Sequence, residues 1–425
     1  MYNSLLRNSI ILVGGAGVSQ IIGILASPII AQIFSPSDYG AFSAFIAVTA
    51  IFSIIIAGTY EQVIVLAQRV KWAVNLVALS ILLNISFSLL LTLIVAAAIT
   101  IENLIIIDYE FPKIYIYAPV VILFTGLNAI LIQWFLREKK YILISVGRLV
   151  QSLFVAIFQV GMGIFIANPI ILTLGYAGGI ILSATLMSCM FWRQIKPKIR
   201  LISLKSMRFV AIRYSNYPKY MILGQFANVL SSSLPIILIG LYYGAEIVGF
   251  YALAYKVLAA PATLIINAFG EVYKTESAAI YHQYGNCKSL FIKISQRLAI
   301  YSLIPTLIFF IYGKPIFSLI FGPDWEQAGE ITSVLAVLFY FQSVSTPLAT
   351  TVLLANMQKF DMWWQITRVI LCSLALVGGY YYFENYSVSI ILYVIILSTL
   401  YLIHFAMQAI VSFGYYSDPI KYQNN

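Results

Sequence analysis

Residues 9–34 carry no charge, and after a short polar segment the chain runs uncharged again over residues 39–60. Each stretch reaches the roughly 20 residues that an α-helix needs to cross a bilayer. Comparable stretches recur through all 425 residues, with hydrophobic side chains at 61% and charged ones at only 9%. A water-soluble domain carries about 25% charged residues, so this chain lacks the polar surface to enclose a globule in water. The stretches do not alternate polar and apolar residues as strands of a membrane barrel do. The first is too long for a signal-peptide core and has no small-residue cleavage site, so it reads as a retained helix. The chain is therefore expected to be an all-α integral membrane protein.

Twelve transmembrane helices are expected, over residues 9–34, 39–66, 72–100, 114–136, 142–167, 170–192, 215–243, 247–270, 294–313, 328–355, 362–383 and 387–413. With the N-terminus cytoplasmic, the inside loops hold Arg69 and Lys71; Arg137, Lys139 and Lys140; Lys274 and Lys288; and Lys359. The central inside loop adds Arg193, Lys196, Lys198, Arg200, Lys205, Arg208 and Arg213 without an acid. The opposite loops hold Asp38, Glu102, Asp108, Glu110, Glu246, Asp324, Glu326, Glu330 and Glu384, with Lys113 and Lys314 as their basic residues. Lys and Arg concentrate on the cytoplasmic side of membrane proteins, so both termini are placed in the cytoplasm. The same bias accounts for the net charge of +10 without a nucleic-acid partner. The expected organisation is an N-terminal six-helix bundle (1–192), a basic cytoplasmic linker lying against anionic lipid (193–214) and a C-terminal six-helix bundle (215–425).

The segment 34–42 reads FSPSDYGAF. Ser35 suits a helix N-cap, Pro36 the first helical position, and Asp38 falls three residues after the cap. Residues 243–251, YGAEIVGFY, echo it: an offset of 209 residues places Gly40 on Gly249, and 210 places Glu61 on Glu271. Each half thus has an uncharged helix, an outside turn with an acid and a glycine, and a helix ending in glutamate. An even number of spans separates the copies, so they form a parallel pseudo-repeat about an axis along the membrane normal.

Reactive chemistry is sparse. There is no phosphate-binding glycine loop and no zinc-type histidine pair, so no catalytic residue, metal or cofactor is expected. Cys189, Cys287 and Cys372 are scattered and read as structural thiols. His404, in the last span, has no evident partner and also reads as structural.

Charges inside spans carry more information, because at the bilayer centre each costs at least ~2.5–3.5 kcal/mol and so faces protein or water. Lys256 lies about 15 Å past the Glu246 turn at a rise of ~1.5 Å per residue, near mid-membrane. Arg148 and Arg368 lie about two turns from their cytoplasmic ends, where a lumen position and snorkelling are both open. No carboxylate is expected at comparable depth, so Lys256, Arg148 and Arg368 are the candidate binders of an anionic substrate. Glu61 and Glu271, with Arg7 and Lys219 as basic partners, are candidate gate residues or interfacial charges completing helix ends. Asn8, Gln20, Gln225 and Asn228 suit a hydrated lumen or hydrogen bonds between helices. The 30 tyrosines fit sugar stacking and equally the aromatic belts of a membrane protein.

The uncharged first helix followed by FSPSDYGAFSAF resembles the Wzx-type flippases of the polysaccharide biosynthesis family, within the MOP exporter group that includes MATE multidrug exporters and lipid II flippases. The likeness extends over the spacing of the spans, the repeat of six plus six, the central basic loop and the stretch EVYKTESAAIYHQYGN after the eighth span. It implies a MATE-like fold in the bacterial inner membrane. It implies translocation of an undecaprenyl-diphosphate-linked oligosaccharide, such as an O-antigen or capsule unit, to the periplasmic leaflet by alternating access around a cationic lumen. Membrane lipids, a polysaccharide polymerase and a chain-length regulator would be its partners. The alternatives are a MATE-type ion-coupled exporter, against which the lack of an acid in the first helix counts, and an integral-membrane polymerase or acyltransferase, which would need a larger external loop.

The orientation is tested with K140C and E384C variants in a chain whose native cysteines are replaced by serine. A membrane-impermeant maleimide added to intact cells is expected to label E384C alone, and K140C only after the cells are opened; the reverse pattern rejects the orientation.

Overall fold

The computed structural model describes residues 2–56, 58–104, 113–355 and 357–414, without the side chains of residues 2–13, 102–104, 220, 282, 353, 358 and 359. Arg7 and Asn8 therefore lie outside the described side chains. The described chain is nearly all helix: α1 (Tyr2–Ile33), α2 (Pro36–Ser53), α3 (Tyr60–Leu66), α4 (Val70–Leu104), α5 (Ala118–Arg137), α6 (Tyr141–Gly163), α7 (Pro169–Ile195) and α8 (Leu204–Arg213). After these come α9 (Ile222–Tyr284), α10 (Lys288–Phe321), α11 (Glu326–Ser345), α12 (Thr350–Leu354), α13 (Gln358–Phe383) and α14 (Tyr386–Ser412). No strand occurs among the described residues.

Ten described helical runs are long and apolar enough to span a bilayer. One of them, α9, is two limbs joined at Gly244, whose φ of 83° and ψ of 176° break the helix. The pair α2 and α3, outside those ten, occupies the expected second span. The expected count of about twelve is thus recovered, and the chain is a multi-pass membrane protein.

The hinge after α1 forms as its residues dictate. The Ser35 hydroxyl accepts from the Asp38 N–H, and the Asp38 carboxylate accepts from the Ser35 N–H, each at 3.2 Å, with Pro36 opening α2. The second half turns differently. An offset of 209 residues carries Pro36 onto Ala245, where α9 resumes after Gly244, so a left-handed glycine does what a capping box does in the first half.

The expected unbroken span over 39–66 is interrupted. α2 ends at Ser53, Gly58 and Thr59 have φ of 59° and 57°, and α3 starts at Tyr60. Irregular backbone at membrane depth survives only where protein or water satisfies it. Here Gly58 N–H donates to the Ile55 carbonyl and Gln62 N–H to that of Thr59, while the guanidinium of Arg137 donates to the carbonyls of Ile64 and Ala67 beyond α3.

The chain divides into two units, Met1–Ser233 and Leu234–Asn425, the division falling within the first limb of α9. In the first unit, Val63, Ile64, Leu76, Ile130, Trp134, Phe135 and Met187 form a core joining α3, α4, α5 and α7. Helices are further tied by buried amides, as where Asn84 Nδ2 donates to the Leu123 carbonyl and Gln159 Nε2 to that of Leu172. The basic segment packs onto this unit as a 3₁₀ turn (Lys196–Leu201) and α8. Asn75 clamps it through the Leu201 carbonyl and the Ser203 N–H, and Tyr60 donates to the Ala211 carbonyl. Leu204, Phe209 and Ile212 of α8 face outward beside Lys205 and Arg208, the pattern of a helix lying in the membrane interface.

In the second unit, Tyr273, Phe291, Ile294, Leu298 and Leu348 form a core. α10 and α11 approach through facing glycines. Lys314 bridges Glu326 at 2.8 Å and Glu330 at 2.9 Å, which removes it as a free basic charge on that side.

A Cβ on Gly329 would meet the Gly313 carbonyl oxygen at 2.6 Å and the Lys314 Cα at 2.7 Å, both backbone atoms that cannot swing away. Gly329→Val is therefore expected to destabilise the second unit by ~1–3 kcal/mol or more, read as a lowered Tm in detergent. Gly14→Ala, where nothing lies within 4 Å, should leave Tm unchanged.

Candidate functional site

The polar residues of the second unit converge where α13 meets α14. Arg368, on α13, directs Nη1 to the Tyr401 hydroxyl at 3.4 Å and lies 5.0 Å from the centroid of the Trp364 ring. Its Nε is buried without a hydrogen-bond partner. The guanidinium also lies within electrostatic reach of Tyr255, Cys372, Asp361 and His404. Trp364 is fixed by its indole N–H, which donates to the Leu400 carbonyl.

His404 is not partnerless, as its sequence context suggested. Gln408 Nε2 donates to its Nδ1 at 2.9 Å and to the Ser345 carbonyl at 3.1 Å, and the Ser345 hydroxyl lies 3.2 Å from the same Nδ1. With Nδ1 accepting, a neutral ring carries its proton on Nε2. That atom points toward Asp361, whose Oδ1 is 4.0 Å away. The imidazole stacks on Trp364, with centroids 4.3 Å apart.

Asp361 adds a carboxylate to the cluster. It lies two turns before Arg368, toward the start of α13, and so not at the depth of the guanidinium. The two charges offset each other, so this cluster is polar rather than strongly cationic. Five of its α13 and α14 atoms are buried without a protein partner: Gln365 Oε1, Arg368 Nε, Ser398 Oγ, His404 Nε2 and Gln408 Oε1. Unmet capacity of this kind inside a membrane protein marks a place that water or a polar ligand reaches.

Lys256 sits half-buried on α9, next in sequence to Tyr255, which faces Arg368. Arg148 is half-buried on α6 of the first unit. The two matched glutamates differ in environment. Glu61, on α3, buries an unpartnered Oε2 beside the buried, unpartnered hydroxyl of Thr59, whereas Glu271 is exposed on α9. Lys219 is exposed, and no ion pair joins it to Glu61 among the described residues. Gln20 and Asn228 are exposed and Gln225 is half-buried. Tyr401, Trp364 and Asp361 escaped the sequence reading, and His404 entered it without its partners. The i, i+3, i+7 spacing of Asp361, Trp364 and Arg368, which puts them on one helix face, was the available signal.

Gln408→Leu keeps the side chain's bulk but strips His404 and the Ser345 carbonyl of a donor. It is expected to cost ~1–3 kcal/mol, seen as a lowered Tm of the detergent-solubilised chain.

Comparison with known proteins matches residues 29–330 to the family model described as polysaccharide biosynthesis protein. The teichuronic acid biosynthesis protein TuaB of Bacillus subtilis (strain 168) is 24% identical over 164 residues, which are 38% of this chain and about a third (34%) of TuaB. Among solved structures, an inward-facing multidrug resistance MATE family transporter of the MOP superfamily superposes with a TM-score of 0.72 at 12% identity, covering 93% of this chain and 95% of that one. The lipid II flippase MurJ, in an inward closed conformation, gives 0.67 at 13% identity, covering 95% and 90%. Both likenesses concern the fold.

Proposed function

Because the chain belongs to the polysaccharide biosynthesis protein family, we propose that it is a flippase that carries a lipid-linked oligosaccharide across the bacterial plasma membrane. The carrier is a polyprenyl diphosphate of the undecaprenyl type, and movement runs from the cytoplasmic to the outer leaflet by alternating access. The fold shared with a MATE transporter and with MurJ supports a transport role, and TuaB's part in teichuronic acid biosynthesis supports a saccharide cargo. The observation that carries the reading is Arg368, a guanidinium inside the spanning region that keeps an unpartnered N–H. Arginine presents a planar fork that suits phosphate oxygens, and in a low-dielectric interior that attraction is strong. Asp361 offsets Arg368 when no anion is present. Lys256 and Arg148 then supply the excess positive charge that a diphosphate would meet. Glu61 and Glu271 serve as gate groups at the inner helix ends, with Arg7 and Lys219 as partners. Asn8, Gln20, Gln225 and Asn228 line the polar path.

In this arrangement residues 1–192 and 215–425 are the two bundles that rock, 193–214 anchors the first to the cytoplasmic leaflet, and both termini are cytoplasmic. A polymerase and a chain-length regulator would receive the product on the outer face. One observation favours a second reading, ion-coupled export: the carboxylate of Asp361 beside His404 could exchange protons.

A deletion strain should lose its surface polysaccharide. Lys256→Ala and Arg368→Ala are each expected to restore less than about a tenth of it at unchanged protein level, the loss expected when a charge-assisted contact of ~1.5–3 kcal/mol is removed. Full restoration by both variants rejects the cationic path. Dye efflux that needs Asp361 but not Arg368 would favour the exporter.

A further inference from the structure

Two adjoining cavities lie on one flank of the second unit, the first reaching the cluster around Arg368 at Tyr401 alone. The first, about 290 Å³, is a groove between α10, α11 and α14 walled by Ala299, Phe341, Val344, Leu402, Phe405 and the edge of Tyr401. The second, about 520 Å³, is an open vestibule at the start of α10, lined by Asn286, Lys288, Ser289, Lys293 and Gln296 among others. Gln296 lines both, so the apolar groove and the vestibule meet at one side chain.

Chemistry changes sharply along this path. The groove offers aromatic and aliphatic walls, and its neighbours Ile300, Leu402 and Ile403 are exposed at 63%, 53% and 49%. That flank therefore faces lipid. The vestibule offers two ammonium groups, two amides and a hydroxyl, and among the described residues no carboxylate lines either cavity. Its floor is firm. The Cys287 N–H donates to the Ser412 carbonyl at 2.9 Å, and Lys288 Nζ lies 4.8 Å from the ring of Phe413, so the α9–α10 loop is pinned to the end of α14. A groove that takes a hydrocarbon chain and ends at paired lysines near a helix end complements an anionic lipid.

We propose that this flank is a binding site for an anionic phospholipid of the surrounding bilayer. An acyl chain lies in the groove against Phe341, Val344 and Leu402. The phosphate and anionic head lie between Lys288 and Lys293, with Ser289 and Asn286 as hydrogen-bond partners. The site is independent of what the protein transports. It does, however, place bound lipid against Tyr401, the residue whose hydroxyl meets Arg368.

The test is native mass spectrometry of the full chain in detergent, given equimolar phosphatidylglycerol and phosphatidylcholine. The unaltered chain should retain phosphatidylglycerol about tenfold more than phosphatidylcholine, as two lysines at a lipid surface imply. The K288Q/K293Q variant should bring the ratio near one, and Ala299→Trp, which fills the groove, should lower retention of both lipids. Equal retention by the unaltered chain, which needs no variant to fold, overturns the proposal. So does a preference that survives K288Q/K293Q. Displacement by glycerol phosphate at the same concentration would mean an anion site without a chain site. Stronger retention of a polyprenyl phosphate than of phosphatidylglycerol would assign the groove to a carrier lipid instead.

Discussion

Hydrocarbon offers no hydrogen bonds, so every break in a membrane helix must be repaired by the protein itself. The guanidinium of Arg137 shows the repair most directly. It reaches from the end of α5 to the carbonyls of Ile64 and Ala67, where α3 stops. Without such a donor the short α3 would leave its last carbonyls unmet. Elsewhere serines and threonines return their hydroxyls to the carbonyl one turn back, as Thr49 does to Phe45 and Thr332 to Ala328, so that polar side chains sit in apolar helices without orphaned donors. The same accounting explains why the fold is nearly all helix and why its exceptions cluster at a few turns.

Against this background the α13–α14 region stands apart. Most buried amides in the first unit are used to hold helices together. Asn75, Asn84 and Gln159 all donate to backbone carbonyls across helix contacts. Asn84 leaves its Oδ1 unmet as well, but between α13 and α14 such atoms gather. Trp364, His404 and Gln408 are locked by hydrogen bonds and stacking, yet each of Arg368, His404 and Gln408 keeps one polar atom free of protein partners. Rigid groups with spare capacity are the combination expected where a protein prepares to bind something polar.

The spans and the hinge were legible because their signals are local. Apolar length marks a span, and Ser35, Pro36 and Asp38 announce a helix start within four positions. The interruption between α2 and α3 was less visible, since Gly58 and Thr59 sit in an apolar run that reads as continuous. The donor that satisfies the far end of α3, Arg137, lies far along the chain. The partners of His404 were hidden for the same reason. Its partners Ser345, Asp361 and Gln408 come from three helices, and only folding brings the first two to it. The basic segment was legible in charge but not in structure, because its attachment rests on Asn75 and Tyr60, neither of which looks unusual in sequence.

The unmatched atoms between α13 and α14 bear on the strength of any interaction there. Polar atoms buried without protein partners take solvent when nothing else is present. A guest arriving at Arg368 then exchanges one set of hydrogen bonds for another, and its affinity is only the difference between the two. Such a site is well suited to letting go. A carrier must release its cargo as readily as it captures it, and polar atoms that trade one set of partners for another keep the energetic well shallow.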